Sequence, residues 1–306
     1  MFRTKDIYMQ MCHQSDELHE LTEEERIRLQ AHLRKMYKDV EAVCLRHGLT
    51  VMLADGSVLG AIRHGGFIPW DDDIDLNMPR RDYEEFINTY ASELPDHYKV
   101  FAPNSVNGPI SNFAKVVDMN TEIIGPGEEN SSICHGISLD IFPLEGIAPN
   151  RRLYNKYKKF CSMALIYIIG SVTQYSAHSK LYKRLMSGNL AARFNYWFRE
   201  IIGFFFSFWS REEWQNIFDS FVRNTDNTGF VHRPSDIYKW EPIPIDVYLP
   251  VKQIAFDDIT AYIPNNPEYL LEYDYGDWHY IPKPEERWAH FLVSIKFTKK
   301  FLSDEA

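Results

Sequence analysis

The segment Leu53-Ala-Asp-Gly-Ser-Val-Leu-Gly-Ala-Ile-Arg-His-Gly-Gly-Phe-Ile-Pro-Trp-Asp-Asp-Asp-Ile-Asp-Leu-Asn-Met78 constrains this chain more than any other. Its first device is Gly56-Ser57, a turn between an apolar run over 49–54 and a helix-like stretch over 58–64. A helix starting there aims free backbone N–H groups and its positive dipole end at an anion. Its second device is the cluster Asp71, Asp72, Asp73 and Asp75. On a strand, Asp73 and Asp75 share one face while Ile74, Leu76 and Met78 point to the other. Carboxylates with a common direction are hard oxygen ligands, the kind Mg²⁺ takes when it also holds substrate phosphates.

Each device alone has a plainer reading. A lone Gly-Ser is most often a turn, and an Asp-rich run is most often a solvated loop or a Ca²⁺ site. The run lacks the sixth-position Gly and twelfth-position Glu of a Ca²⁺ loop. Apolar residues at 74, 76 and 78 favour a strand. Four like charges beside a buried strand repel one another and call for a cation.

The stretch Gly66-Phe-Ile-Pro-Trp-Asp-Asp-Asp-Ile-Asp75, with Asp55-Gly56-Ser57 before it, closely resembles the signature of the LicD-type phosphotransferases, whose relatives include the fukutin proteins. The resemblance implies the nucleotidyltransferase-fold superfamily, marked by Gly-Ser, a spacer and Asp-apolar-Asp-apolar, here Asp73-Ile74-Asp75-Leu76. Two departures from the generic pattern, a longer spacer and Asp55 before the glycine, look normal for the LicD branch. Such folds bring a third carboxylate from a later strand. Ile137-Ser-Leu-Asp-Ile-Phe-Pro143 fits, its alternation setting Asp140 and Ser138 opposite Ile137, Leu139 and Ile141. Tyr275-Gly-Asp-Trp278, Pro282-Lys-Pro284 and His290 look like the family's closing motif. The likeness covers 30–145 and 240–292, with 150–235 weakly matched.

The expected fold is α+β, a nucleotidyltransferase-like mixed β-sheet flanked by helices with a basic, aromatic helical insertion. Residues 1–150 form the catalytic core, 151–235 the helical region, and 236–306 a C-terminal part packing back on the core. Thr22-Glu-Glu-Glu25 reads as a capping box, and Leu29, Leu33, Met36, Val40 and Val43 recur at helical spacing until His47-Gly48. A second helix is expected from Pro79 to Tyr90 with Tyr83, Phe86 and Ile87 inward, and a strand over Phe113–Val117. With 306 residues and 45% hydrophobic content the chain can bury a sizeable core. Cys12, Cys44, Cys134 and Cys161 show no paired metal spacing, which favours reduced thiols.

Charge is unevenly placed. Between Arg151 and Arg211 stand eleven Lys and Arg and one acid, Glu200, for about +10, leaving about −20 on the remainder. This aromatic-rich segment suits either an interface with anionic lipid headgroups or a helical subdomain balancing the acidic half. Nucleic acid ranks low because no recognised motif accompanies the charge. Met1–Asp6 shows no apolar signal-peptide core. The longest apolar stretches, such as Ile201–Trp209, fall short of a bilayer span. The expected location is cytoplasmic, peripheral at the inner face of the membrane.

The resemblance implies transfer of a phospho-alcohol, phosphocholine or a polyol phosphate, from a CDP-linked donor such as CDP-choline to a hydroxyl of a cell-surface glycan or its lipid-linked precursor. Lipopolysaccharide, capsule and teichoic acid are acceptors of that class. Asp71, Asp73, Asp75 and Asp140 are the expected ligands of Mg²⁺ or Mn²⁺, with Asp73, Asp75 and Asp140 catalytic. Gly56, Ser57, Arg63, Trp70 and Lys115 are the expected substrate-binding residues. Trp70 either stacks on a base or packs under the Asp loop, and Lys115 either meets a phosphate or is simply solvated. Two rival functions stay open: a nucleotidyltransferase releasing pyrophosphate from a nucleoside triphosphate, and a non-catalytic binding module of the same fold. A structural or membrane-scaffold protein built around the basic region fits least.

Overall fold

In the computed structural model, which describes residues 4–106, 108, 111–130, 134–234, 240–287 and 290–298, the chain opens with α1 (Thr4–His13) and the two-residue strand β1 (His19–Glu20). Helix α2 (Glu23–Arg46) then begins at the expected capping box. Thr22 Oγ1 accepts from the Glu25 N–H at 3.2 Å, and the Thr22 N–H donates to Glu25 Oε2 at 2.9 Å. All five residues of its apolar stripe are buried, and Gly48, at φ 67°, turns the chain out of the helix.

Strand β2 (Met52–Leu53) leads into α3 (Asp55–His64), so Gly56 and Ser57 sit inside the first helical turn rather than in a turn ahead of it. Strand β3 (Asp75–Pro79) starts at Asp75, leaving Asp73 in the extended approach to it. The helix expected over 79–90 is α4 (Arg80–Glu85) followed by a π-helical turn at Phe86–Tyr90; Tyr83 and Phe86 are buried and Ile87 half-buried. Strands β4 (Tyr98–Phe101), β5 (Ala114–Asp118), β6 (Glu122–Ile124) and β7 (Ser138–Gly146) follow.

Four helices come next, α5 (Arg152–Ala177), α6 (Lys180–Ser187), α7 (Leu190–Phe206) and α8 (Arg211–Val222). The expectation that no segment reaches bilayer length fails at α5. Its 26 residues include a window of mean hydropathy 1.3, of which 22% is buried, so it is long and apolar enough to cross a membrane by length and composition. Polar residues hide in it because the helix satisfies them itself: Ser171 Oγ donates to Tyr167 O at 2.7 Å and Thr173 Oγ1 to Ile169 O at 2.8 Å. The remaining elements are β8 (Phe230–His232), β9 (Ile243–Pro244), β10 (Lys252–Phe256), β11 (Ile259–Ile263), α9 (Pro267–Tyr275), β12 (Phe291–Leu292) and β13 (Ser294–Lys296).

Among the described residues the main sheet has seven strands, ordered β2-β3-β7-β5-β4, with β8 on the far end of β7 and β9 on β8. Strands β3 and β7 run parallel and the other pairs are antiparallel, which makes the sheet mixed. Residues of α2 join Ile74, Leu76, Val116, Leu139 and Ile141 in one core, so α2 backs the apolar face of the central strands. The C-terminal elements return to the front of the chain: β12 pairs with β1, β13 with β6, and α9 packs on α3.

A buried ion cluster joins sheet and helices. Arg80, 3% exposed, follows the last residue of β3. Its Nη1 donates to Glu145 Oε1 of β7 at 2.9 Å and to Asp219 Oδ1 of α8 at 2.7 Å, and its Nη2 to Asp219 Oδ2 at 2.9 Å. The planar fork of Arg suits this double engagement.

Candidate active site

The register of three adjacent strands builds the site. Asp75 of β3 is opposite Asp140 of β7, and Asp140 is opposite Lys115 of β5. Directly opposed residues share a face of the sheet, so two carboxylates and an ammonium form one row across it. Ile74, Leu139 and Val116 take the opposite, apolar face, as the alternation requires. Lys115 Nζ donates to Asp140 Oδ1 at 2.5 Å.

Asp71, Asp72 and Asp73 approach the row through the loop ahead of β3. Burial, then the neighbouring carboxylates Asp73 and Asp72, push the Asp71 carboxyl well above its usual range. Burial and Asp72 raise Asp73 to about 6. Asp75 is raised well above normal, by burial first and then by Asp73, Asp55 and Asp140. Burial first, and the crowding of carboxylates second, push each of these groups toward its neutral form.

One cationic partner comes from the far end of the chain. His290 Nδ1 lies 2.7 Å from Asp72 Oδ1, and that hydrogen bond is the main cause that holds its imidazole up at about 9. Ligand atoms of Asp72, Asp73 and His290 all lie within 4.8 Å of one another. Asp72, Asp73, Lys115, Asp140 and His290 line a cavity of about 360 Å³.

The start of α3 is tied to the same place. Ser57 Oγ accepts from the Asp75 N–H at 3.0 Å, fixing the helix to the first residue of the strand. A Cβ on Gly56 would stand 3.2 Å from Asp71 Oδ2, so glycine there lets the carboxylate lie over the helix N-terminus, where the dipole favours it. Asp55 adopts φ 44°, a left-handed conformation uncommon for a non-glycine residue. Arg233, 5% exposed, bonds Asp55 Oδ1 and donates to Asp274 Oδ1 of α9 at 2.7 Å. That bond secures the strained residue.

The structure thus brings Gly56, Ser57, Asp71, Asp73, Asp75, Lys115 and Asp140 together. It does not bring Arg63 into the carboxylate row. Arg63 Nη1 donates to the carbonyls of Trp278 and Tyr280, each at 2.9 Å, and its Nε to His64 Nε2 at 3.0 Å, so it pins the C-terminal segment. Trp70 is half-buried. It packs against the core, and the Arg287 guanidinium lies 4.0 Å from its ring centroid, on the face a base would use. The pairings Asp72–His290 and Asp55–Arg233–Asp274 lay beyond sequence reasoning, although His290 stood within the closing motif.

The donor set suits a hard divalent cation. Crowded carboxylates with raised pKa values are what such an ion relieves, and Asp72 with Asp73, whose ligand atoms lie within 4.8 Å of one another, could hold it.

Residues 48–108 match the LicD/FKTN/FKRP nucleotidyltransferase domain family. The chain is 27% identical over 257 residues to the lipopolysaccharide cholinephosphotransferase LicD of Haemophilus influenzae, covering 82% of this chain and 90% of that protein. Shorter likenesses run to uncharacterized proteins of Rickettsia typhi, 33% identical over 54 residues, and Rickettsia prowazekii, 34% identical over 50 residues. These span 18% and 16% of this chain and 18% and 19% of theirs. The match to the LicD family takes in Gly56, Ser57 and the Asp71–Asp75 cluster, within a likeness to LicD that extends over most of the chain.

Proposed function

We propose that this chain is a phosphotransferase that moves a phospho-alcohol, phosphocholine or a polyol phosphate, from a CDP-linked donor to a hydroxyl of a cell-surface glycan or its lipid-linked precursor. The observation that carries the reading is the row Asp75–Asp140–Lys115 across three strands, with Asp71, Asp72 and Asp73 crowding its edge. The mixed sheet backed by helices, the name of the H. influenzae relative and the Gly56-Ser57 helix start support it.

In this reading Asp73 and Asp75 hold Mg²⁺ or Mn²⁺, with Asp71 and Asp140 completing the ligand set. The bound ion supplies charge compensation on the diphosphate as the bond between its phosphates breaks. Asp140 accepts the proton of the acceptor hydroxyl, which forms the new phosphodiester while CMP departs. Lys115, already fixed against Asp140, offers its remaining N–H donors to a phosphate oxygen. Ser57 holds the start of α3 against Asp75, and the dipole end of that helix favours the negative charge gathered there. His290 holds Asp72 in one orientation.

The test is the leaving group. Incubation with Mg²⁺, acceptor glycan and CDP-choline, CDP-ribitol or CDP-glycerol in turn is expected to yield CMP from one of the three. Pyrophosphate from CTP or ATP, with no CMP from any CDP-alcohol, would replace this reading by the nucleotidyltransferase one. Turnover of neither class would leave the binding module.

A further inference from the structure

On α7, Leu190, Phe194, Trp197, Ile201, Phe204 and Phe208 recur every three or four residues, continuing one residue past Ser207. In a helix packed within a globular protein this stripe faces the core. Here it faces outward: Leu190 is 76% exposed, Phe194 75% and Phe204 60%. The first half of α5 repeats the pattern with Leu153, Tyr157 and Phe160, of which Leu153 is 84% exposed.

This is not a helix pair lacking a core. On its inner side α7 buries Ala192 and Tyr196 against Met11 and Met186, and α5 buries Ile169 and Val172 against Trp214 and Phe218. Gly203 brings the two helices into backbone contact at Ser171. The outer stripe is therefore additional apolar surface, and Tyr167 of α5 meets the exposed Phe198 of α7 with ring centroids 6.2 Å apart.

Charge identifies what covers it. Arg152, Lys156 and Arg193 are exposed on the same helices, and Lys183 Nζ of the neighbouring α6 lies 5.1 Å from the Trp197 ring centroid. The sole acid from 151 to 211, Glu200, already accepts from Gln174 Nε2 at 2.8 Å. A second copy of this chain would set two basic faces against each other, from segments that each carry about +10. We propose that the α5–α7 face is a docking surface for an anionic lipid bilayer. Its aromatic stripe rests at the headgroup level with α5 lying along the surface, and its basic residues sit among the phosphates. The remainder of the chain, at about −20, is repelled by the same surface, which sets the orientation of the bound molecule.

Sedimentation of the full chain with vesicles tests this. With phosphatidylcholine–phosphatidylglycerol vesicles it is expected to pellet, with phosphatidylcholine vesicles to stay in the supernatant, and with molar salt to be released. The double variant Phe194→Ser/Phe204→Ser, melting as wild type does, is expected to bind about ten-fold more weakly or worse. Arg193→Glu is expected to weaken anionic binding while keeping the aromatic stripe. Equal binding to neutral vesicles, no binding, or undiminished binding by both variants would overturn the proposal. So would salt-resistant association, the mark of a spanning α5, or a wild-type dimer that the double variant converts to monomer.

Discussion

Lys115 and Asp140, direct partners in the antiparallel pairing of β5 and β7, are joined at 2.5 Å, so the carboxylate row ends in a fixed positive charge. Lys115→Met removes that charge and leaves Asp140 without its ammonium. Turnover is expected to fall at least about ten-fold, and the divalent-cation concentration for half-maximal rate to shift. Steady-state assays across a Mg²⁺ titration check both, and an unchanged rate would return Lys115 to the solvated role.

Asp73→Asn and Asp75→Asn each remove one charge from a cluster whose members already push one another's carboxyls upward. Both variants are expected to lose activity by about a hundred-fold or more, with a melting temperature equal to or above wild type in the absence of divalent cation. Calorimetry beside product assays separates the two effects. A sharp loss of stability would mean that the carboxylates are structural.

Gly56→Ala places a methyl group 3.2 Å from Asp71 Oδ2, so the Asp71 carboxylate must give by a few tenths of an ångström. A weakened donor affinity with little change in melting temperature is expected, read as a higher KM in the same assay. An unaltered KM would show that Asp71 can move freely.

Arg80 and Glu145 are 3% and 0% exposed, and Asp219 shares the guanidinium. Arg80→Met strands a buried carboxylate and is expected to destabilise the chain by about 3–5 kcal/mol, measured by denaturant unfolding. A loss under about 1 kcal/mol would show that Glu145 takes up a proton and settles.

His232 is buried, its Nδ1 without a hydrogen-bond partner among the described residues, and burial followed by the nearby Lys158 pushes its imidazole down to about 3. The free side chain titrates near 6.5, so below that pH the unfolded chain takes up a proton that the folded chain refuses. The stability from a neutral His232 is complete above pH 6.5 and is lost as pH falls toward 3. Wild type is expected to melt progressively lower across that window, and His232→Gln to flatten the decline. Parallel slopes would assign acid sensitivity to other groups.

Where structure follows from neighbouring residues, the sequence was legible. The Thr22–Glu25 capping box and the stripe from Leu29 to Val43 gave α2 its start and its buried face. Alternation at 137–143 gave Asp140 its side of β7. Distant partners left no local trace: 218 residues separate Asp72 from His290, and 178 separate Arg233 from Asp55. Only the pairing of remote segments creates those contacts. The contacts of Arg63 were illegible for the same reason, since the carbonyls of Trp278 and Tyr280 that it binds arrive from 215 and 217 residues away. The length of α5 escaped because its serines and threonine interrupt an apolar run without interrupting the helix.

Strand β3 is five residues long, with Asp75 at its first position and Arg80 immediately after its last. A ligand gripping the first end and an ion cluster gripping the second pull on one rigid segment, too short to open at one end while staying closed at the other. Amide hydrogens of β3, of the facing part of β7 and of the Asp219 turn of α8 should therefore exchange as one cooperative unit. Filling the carboxylate site would then slow exchange as far away as α8, carrying a local binding event to the foot of the helical region.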